Sequence, residues 1–250
     1  MMGLSAVIIT RDEEKNIERC IRLVTNVVDE VVVVDSNSTD RTCAIAKANG
    51  AKVLVHQFEG HIQQKNWAKE QAEHNYVLSL DADETVSDAL SDSIQSVKKK
   101  FDADGYTMNR LNFYCGRAVK TCGWYPDKKL RLWNRNKGEW KGRNPHDKFE
   151  MKPYSHIRHL EGDILHNTYP THESFLKQVD KFASISAQEL KFESAVYLFF
   201  KMVFSPPFKF FKSYVVKLGF TDGVTGLVIC YHQAREVLLK YSRALKLKYA

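Results

Sequence analysis

The sequence has few of the features by which a protein is most easily classified. It contains five cysteines in 250 residues, and no two of them are spaced as Cys-x-x-Cys. This pattern fits neither a disulfide framework nor a zinc ribbon, and it predicts reduced, buried thiols in a cytoplasmic protein. The N-terminal stretch lacks the basic segment and the long apolar run of a signal peptide, so export is not predicted.

The sequence also lacks the patterns of a phosphate-binding loop and of a membrane span. There is no G-x-G-x-x-G and no G-x-x-x-x-G-K-[ST] segment, so a bound nucleotide would need a metal ion and side chains to neutralise its phosphates. In the last 60 residues the longest uncharged run, 223–234, falls short of the roughly 18 apolar residues of a transmembrane helix. No membrane span is therefore predicted.

Charge and aromatic residues are distributed unevenly along the chain. With 44% hydrophobic and 27% charged residues, the chain can bury a full core, which excludes a disordered tail. The whole formal charge of +7 lies in residues 191–250, which also hold 13 of the 29 aromatic residues. We therefore predict a neutral domain over residues 1–190 and a basic, Phe-rich helical extension over residues 191–250.

The first hundred residues alternate between strand and helix patterns. Apolar runs at 5–10, 30–35, 51–56 and 76–80 are typical of buried strands, and the segments that follow them show helical spacing of apolar residues. The repeated strand–helix order predicts an α/β fold with a mostly parallel sheet flanked by helices.

Polar residues directly follow three of these predicted strands. Thr10, Arg11 and Glu13 follow the first, Asp35 ends the second, and Asp81-Ala82-Asp83-Glu84 follows the fourth. Ligands bind beyond the carboxyl ends of parallel strands. Because residues i and i+2 of an extended segment share a side, Asp81 and Asp83 can present two carboxylates to one Mg²⁺ or Mn²⁺ site. The alternative is a solvated turn.

Several segments together resemble the family 2 glycosyltransferases of the GT-A fold. They are SAVIITRDEEKNIERCI, VVVVDSNSTDRT, Gln64-Lys65-Asn66, LSLDADE and KLRLWNRNKGEWKGRNPHDKF. The nearest likeness is to the lipopolysaccharide inner-core glucosyltransferase branch, over residues 4–190. The resemblance implies a UDP-sugar donor, a divalent metal ion and inversion in a single displacement.

The resemblance also implies roles for individual residues. The uridine would be held by Thr10, Arg11, Glu13 and Asp35, the ribose side by Asp81, and the metal by Asp83. Two positions depart from the family pattern: Asp12-Glu13 stands where Asn-Glu is usual, and His146-Asp147 stands where His-Glu is usual.

Two charged residues are candidates for the chemistry itself. Lys65 is a plausible cationic partner of the leaving diphosphate, and Asp147 is the predicted general base for the acceptor hydroxyl. The alternative for Asp147 is a turn residue that follows Asn144-Pro145.

For the remaining candidate residues, both a functional and a structural role are compatible with the sequence. His166 could complete the metal shell, touch the diphosphate or be structural. A zinc site at His156-x-x-His159 is disfavoured, because no third ligand is nearby in the sequence. Trp124, Trp133 and Trp140 could stack on sugars or pack in the core, and Arg131 could pair with a phosphate or with an acidic neighbour.

The extension has the composition of a membrane-surface segment. Lys201, Lys209, Lys212 and Lys217 alternate with Phe and Val, which favours an anionic membrane surface as a partner. A helical cap on the body or a dimer interface is the alternative. Pro206-Pro207 predicts a break into at least two helices in either case.

The sequence therefore predicts a glycosyltransferase that is peripheral on the inner face of the cytoplasmic membrane. The expected substrates are a UDP-sugar, with glucose first, and a lipid-linked saccharide acceptor. A polyprenyl-phosphate sugar synthase is the rival enzyme, and a basic RNA- or membrane-binding module is the rival from another class. Nucleic acid is not an expected partner, because the body has no net charge and carries carboxylates at its predicted ligand edge.

Overall fold

The computed structural model describes residues 3–143 and 146–249. Over these residues the chain forms two compact units. The first comprises residues up to Arg110 and from Asp127 to His166, and the second comprises Leu111–Pro126 and the residues from Asn167 onward. The predicted domain boundary at residue 190 stays a prediction.

The strands alternate with helices through the first hundred residues, and strands dominate the next seventy. The strands are β1 (Leu4–Thr10), β2 (Glu30–Asp35), β3 (Lys52–Val55), β4 (Tyr76–Asp81), β5 (Glu84–Val86), β6 (Gly105–Tyr114), β7 (Arg117–Ala118), β8 (Asp127–Asn134), β9 (Gly138–Arg143), β10 (His146–Met151) and β11 (Ile157–Tyr169). The helices are α1 (Ile17–Val24), α2 (Thr42–Ala48), α3 (His61–Glu70), α4 (Asp88–Lys98), α5 (His172–Leu190), α6 (Ala195–Phe211) and α7 (Gly223–Tyr249).

Within the described residues, nine strands form one mixed sheet and two form a separate hairpin. The order of the large sheet is β3-β2-β1-β4-β8-β6-β11-β5, with β7 paired to β6, and β9 pairs with β10. The strands from β3 to β4 are parallel, whereas β8 is antiparallel to both β4 and β6. The predicted α/β fold with flanking helices is confirmed, and the pairs β3–β2, β2–β1 and β1–β4 are parallel.

The first unit has a hydrophobic core on each face of this sheet. Alternate residues of a strand point to opposite faces, so Ala6 and Ile8 enter one core while Val7 enters the other. The first core includes the apolar stripe of α1, with Ile17 and Ile21 fully buried. The second core packs residues of α3 and of the β9–β10 hairpin against the sheet. The sheet is thus covered on both sides, as its continuous apolar strands require.

In the second unit, α7 packs against both α5 and α6. Leu198 of α6 is fully buried with Tyr241 and Ala244 of α7. Across the described residues no single helix meets the length and hydropathy of a membrane span. The segments 195–216 and 219–249 meet that test only as a pair, and they are bent by 71° relative to each other.

The expected break at Pro206-Pro207 is wrong. Both prolines lie inside α6, because the φ angle that proline fixes is compatible with a helix and only two backbone hydrogen bonds are lost. After α6 ends at Phe211, the chain makes a π-helical turn at Lys212–Val216. Two residues later Leu218 adopts a left-handed φ of 55°, which changes the direction of the chain. The five cysteines are unpaired; Cys20, Cys122 and Cys230 are buried as predicted, whereas Cys43 is partly exposed and Cys115 is exposed.

Candidate active site

Three neighbouring strands of the first unit end in the polar residues that follow apolar runs in the sequence. In the parallel register Thr10 lies opposite Asp35 of β2, and Ile9 lies opposite Asp81 of β4. Adjacent strands are separated by about 4.8 Å. Asp35, Thr10 and Asp81 therefore follow one another along a single edge of the sheet, where parallel sheets bind ligands.

Asp35 organises the turn that follows β2. Its carboxylate accepts hydrogen bonds from the backbone N–H of Ser38, at 2.8 Å, and from the hydroxyl of the same residue. The hydroxyl oxygen of Ser38 accepts in turn from the backbone N–H of Asp12, at 2.8 Å, so the loops after β1 and β2 are tied together. Beside them, Thr10 Oγ1 is buried without a partner among the residues that the structure describes, which is the condition of a group that a ligand would satisfy.

Glu13 lies in a negative environment between these loops and the end of β4. It accepts a hydrogen bond from Asn16 Nδ2 at 2.7 Å, and Thr42 Oγ1 accepts one from its backbone N–H at 2.8 Å. Burial is the main reason that the pKa of Glu13 is raised, and the negative charges of Asp83, Asp40 and Asp12 raise it further. Glu13 and Asp83 are therefore close enough to interact electrostatically.

Lys65 of α3 joins two carboxylates that are distant in the sequence. Its Nζ lies 2.8 Å from Asp147 Oδ2 and 3.6 Å from Asp81 Oδ1. The ammonium group also sits 4.4 Å from the ring centroid of Trp140, a favourable position for a cation. The side chains of Lys65 and Asp147 are 9% and 7% exposed, so the ion pair is largely shielded from water.

The β9–β10 hairpin is held in place by the residue next to Lys65. Asn66 Nδ2 donates to the carbonyl of Trp140 at 2.9 Å, and Asn66 Oδ1 accepts from the Trp140 N–H at 2.9 Å. The register of the hairpin sets Asp147 opposite Gly142. Neighbouring residues of α3 thus anchor the hairpin and bind the carboxylate that it carries.

A buried ionic network supports Asp81 from the other side. Nη2 of Arg131 on β8 lies 3.1 Å from Asp81 Oδ2 and 2.8 Å from Glu84 Oε1. Arg110 Nη1 also approaches Glu84, at 3.4 Å. Although burial opposes both charges, the pKa of Asp81 is held well below its ordinary value by Lys65 and Arg131, and the pKa of Arg131 is raised by Glu84 and Asp81. Both groups are ionised at neutral pH.

Asp83 and His166 face each other across the end of the site. His166 Nε2 lies 3.1 Å from Asp83 Oδ2, because the antiparallel pairing of β11 with β5 sets His166 opposite Glu84. The side chain of His166 is 14% exposed and that of Asp83 is 27% exposed. They remain accessible to a small ligand, unlike the fully buried Glu84.

These donors fit a divalent ion that takes its other ligands from a substrate. Across 3–143 and 146–249, no three His, Cys, Asp or Glu side chains converge as a metal cluster. Mg²⁺ in phosphate sites usually binds one or two protein carboxylates together with phosphate oxygens, and Asp83 with His166 meets that need. The thiol of Cys20 also experiences the negative charge of this region. Its pKa is raised by burial and then by the carboxylates of Glu84, Asp83 and Asp81.

A family model described as glycosyl transferase family 2 matches residues 5–181. The chain belongs to this family. It is 30% identical over 260 residues to an uncharacterised glycosyltransferase of Rickettsia typhi, covering 99% of this chain and 89% of that protein. It is 25% identical to LpsC of Rhizobium meliloti, a lipopolysaccharide core biosynthesis glycosyltransferase, covering 96% of this chain and 94% of the relative.

Among solved structures, the chain resembles residues 1–349 of TarS from S. aureus in complex with UDP-GlcNAc. The TM-score is 0.47 and the identity is 16%, with 99% of this chain and 91% of that chain covered. Family membership makes this protein a glycosyltransferase.

The predicted site residues of the glycosyltransferase fall into three groups. Lys65, Asp81 and Asp147 form one connected ionic cluster, and Asp83 with His166 forms an adjacent pair. The third group holds the other predicted donor residues: Thr10 and Asp35 are the last residues of β1 and β2, and Arg11 and Glu13 lie in the loop after β1. Of these, Arg11 projects into solvent, where its nearest charged neighbour is Asp12 at 3.8 Å. Its assignment to the uridine stays a prediction, as do the other roles.

Two residues of the ionic network are missed by sequence reasoning or given no firm role. Glu84 is noted only as the last residue of the Asp81–Glu84 segment, yet it is fully buried and binds Arg131. Arg131, left open between a phosphate and an acidic partner, has two acidic partners. The usable signal is the position of Arg131 between Leu130 and Leu132 in β8, since a charged side chain that is buried among apolar neighbours needs a partner of opposite charge.

The other histidine and tryptophan candidates have structural surroundings. His156 Nδ1 lies 3.1 Å from the carbonyl of Asp102, and His159 Nδ1 lies 3.1 Å from Thr107 Oγ1; both histidines are exposed, and neither belongs to a metal cluster in the described ranges. Trp133 is fully buried and stacks on Phe149, so it packs in the core rather than on a sugar. Asn144 and Pro145, the predicted turn before Asp147, lie outside the described residues.

Proposed function

We propose that this family 2 glycosyltransferase transfers a sugar, with glucose as the first candidate, from a UDP-sugar to a lipid-linked saccharide such as the lipopolysaccharide inner core. The acceptor class is supported by the similarity to LpsC over 96% of this chain. The predicted working place, the inner face of the cytoplasmic membrane, stays a prediction.

One observation carries the proposal: three carboxylates and two cations from four separate segments meet at the carboxyl edge of the sheet. Asp81, Asp147 and Glu84 are linked by Lys65 and Arg131 within 3.6 Å. Buried charges are costly unless they are paired. Several paired charges at the edge where parallel sheets bind ligands support a site that binds a charged diphosphate and moves a proton.

The donor diphosphate is proposed to bind beside Asp83 and His166, which would hold a Mg²⁺ or Mn²⁺ ion. Such an ion supplies Lewis-acid stabilisation of the leaving diphosphate when it is bound. Thr10 Oγ1 and the Asp35 turn are proposed to contact the nucleoside, since Thr10 Oγ1 is buried without a partner in the described part of the chain. Asp81, ionised and fixed by Arg131 at 3.1 Å, would accept hydrogen bonds from the ribose hydroxyls.

Asp147 is proposed to take the proton of the acceptor hydroxyl during attack. Lys65 holds one of its oxygens, Oδ2, at 2.8 Å, and this ion pair fixes the orientation of the carboxylate, so Oδ1 can receive the proton. A single displacement with inversion needs no enzyme nucleophile. A well-placed general base contributes about 10²- to 10⁴-fold to the rate.

A panel of UDP-sugars tests the donor part of the proposal. Thermal unfolding is recorded with each donor, with and without Mn²⁺, for the wild type and for Asp83→Asn; Asp92→Asn, an exposed carboxylate on α4, is the matched control. One UDP-sugar should stabilise the wild type and the control only when Mn²⁺ is present. Equal stabilisation of Asp83→Asn would contradict the assigned metal ligand.

The acceptor is tested separately, with the donor that the panel selects. Transfer to a lipopolysaccharide inner-core acceptor is expected, and transfer to a polyprenyl phosphate is not. Product on the polyprenyl phosphate alone would identify the rival synthase, while leaving the donor site as proposed.

A further inference from the structure

Helix α6 of the second unit presents a continuous row of exposed apolar side chains, here named the aromatic face. Its members recur at helical spacing along one side of α6, and each is between 45% and 65% exposed. The rings of Phe200 and Phe204 stack with their centroids 6.1 Å apart. The aromatic face consists of Phe199, Phe200, Val203, Phe204, Phe208 and Phe211.

The opposite side of α6 is already used by the fold. Leu198 is fully buried and Met202 is partly buried in the cluster that includes Tyr241 and Ala244 of α7. The helix is thus held by its inner side, and the aromatic face is not needed to attach it. A continuous patch of several exposed apolar side chains marks an interaction site.

The charges carried by α6 and by the turns that follow it are all of one sign. Residues 194–221 contain four lysines and no aspartate or glutamate. Lys201, Lys212 and Lys217 are exposed, whereas Lys209 is partly buried. On the helix, Lys201 and Lys212 lie together along one border of the aromatic face, since eleven residues are close to three full turns. A second copy of this face would bring like charges together, which disfavours self-association through it.

Rings flanked by lysines match the interfacial region of an anionic membrane. Aromatic side chains sit at the boundary between headgroups and acyl chains, and lysines extend their ammonium groups to the lipid phosphates. We propose that the aromatic face docks on an anionic lipid bilayer, with α6 lying along the surface rather than crossing it. The 71° bend between the segments 195–216 and 219–249 is consistent with a helix that lies on the surface.

Vesicle sedimentation of the full-length chain tests this proposal without any sugar donor. The probes are vesicles of phosphatidylcholine alone and of phosphatidylcholine mixed equally with phosphatidylglycerol. We expect binding to the mixed vesicles that weakens with salt. Phe204→Ser should reduce this affinity by at least about tenfold, whereas Phe192→Ser, 83% exposed but outside the aromatic face, should stay within about twofold.

The lysines are tested with a paired variant. Lys201→Gln combined with Lys212→Gln should weaken binding to mixed vesicles by about 30-fold, at about fivefold per lysine. Lys177→Gln, an exposed lysine on α5, is the control and should retain binding. A loss for Lys177→Gln that equals half or more of the loss of the paired variant, on a logarithmic scale, would indicate a non-specific charge effect and would overturn the assignment to this face.

Three further results would overturn the proposal: no binding of the wild type to anionic vesicles, unchanged binding of Phe204→Ser, or a dimer in analytical ultracentrifugation that Phe204→Ser dissociates. The last would assign the face to a second copy of the chain. Because the assay contains no donor, its failure leaves the proposed transfer reaction untouched.

Discussion

The two units of this glycosyltransferase treat charge and apolar surface in opposite ways. The first unit buries charged side chains, with Arg131 4% exposed and Glu84 fully buried. The second unit exposes apolar rings, with Phe204 and Phe208 at 64% and 65%. Burying charged side chains and exposing apolar rings are both unfavourable for the stability of the fold. The comparison teaches that each unit departs from ordinary burial where it is expected to meet a ligand, a charged one in the first unit and an apolar one in the second.

The largest expected effect is that of removing the proposed general base of the first unit. Asp147→Asn should lower the rate of sugar transfer by about 10²- to 10⁴-fold, because an amide cannot accept the acceptor proton. Donor binding, measured by calorimetry, should change little. Glu150→Gln, on the same strand and paired with Lys148 at the surface, is the control and should keep normal turnover, and near-normal turnover of Asp147→Asn would exclude its assigned role.

Stability should respond strongly where charge is buried. Glu84→Gln removes the closest partner of Arg131, and breaking a buried ion pair typically costs about 3–5 kcal/mol. In urea unfolding, we expect a loss near the lower end of this range, because glutamine retains a hydrogen-bond acceptor. The matched change Glu173→Gln removes an exposed i,i+4 pair with Lys177 and should change the stability far less, because exposed ion pairs contribute little. Equal losses for the two variants would remove the contrast between buried and exposed pairs.

A glycine in β11 gives a packing test within the first unit. Gly162 has a φ of +93°, and a Cβ there would lie 2.2 Å from the backbone nitrogen of Leu90. Gly162→Ala should therefore destabilise the protein by about 2 kcal/mol or more, from backbone strain and from displacement of α4. Gly116→Ala, also at positive φ but with no neighbour within 4 Å, separates the two causes. If Gly116→Ala lowers the free energy of unfolding as much as Gly162→Ala does, the contact with α4 is unimportant.

The sequence predicts the first unit better than the second because local patterns decide its elements. Apolar runs and the helical spacing of Ile17 and Ile21 are readable directly, and α/β alternation follows. The pairing of Lys65 with Asp147 spans 82 residues, and only the resemblance to a family brings those segments together. No local signal links Arg131 to Glu84, since their contact depends on β8 inserting beside β4.

In the second unit, local rules mislead. Two adjacent prolines predict a helix break, yet α6 continues through them and ends at a turn set by Leu218. Composition predicts amphipathic character, but it does not say which side of α6 packs against α7. The side that packs carries Leu198 and Met202. These residues are no more apolar than the phenylalanines that remain exposed, so hydrophobicity alone does not predict the packed side.

The smallest expected effect is a pH-dependent gain in stability from Glu13→Gln. The pKa of Glu13 is raised in the folded state by burial and by Asp83, so ionisation of Glu13 destabilises the fold at pH values above its folded pKa. Removing the charge should raise the melting temperature slightly at pH 7. The gain should vanish below the ordinary pKa of 4.5, where Glu13 is protonated in both states. A gain that is independent of pH would contradict this electrostatic origin.

The most direct test of the account is calorimetric titration of the wild type and Asp83→Asn with UDP, with and without Mn²⁺. The proposed site predicts that Mn²⁺ strengthens UDP binding to the wild type by at least about tenfold and that Asp83→Asn loses this enhancement. UDP binding of equal strength with and without Mn²⁺, or an enhancement that survives in Asp83→Asn, would contradict the central claim that a divalent ion held at the end of β4 binds the donor diphosphate.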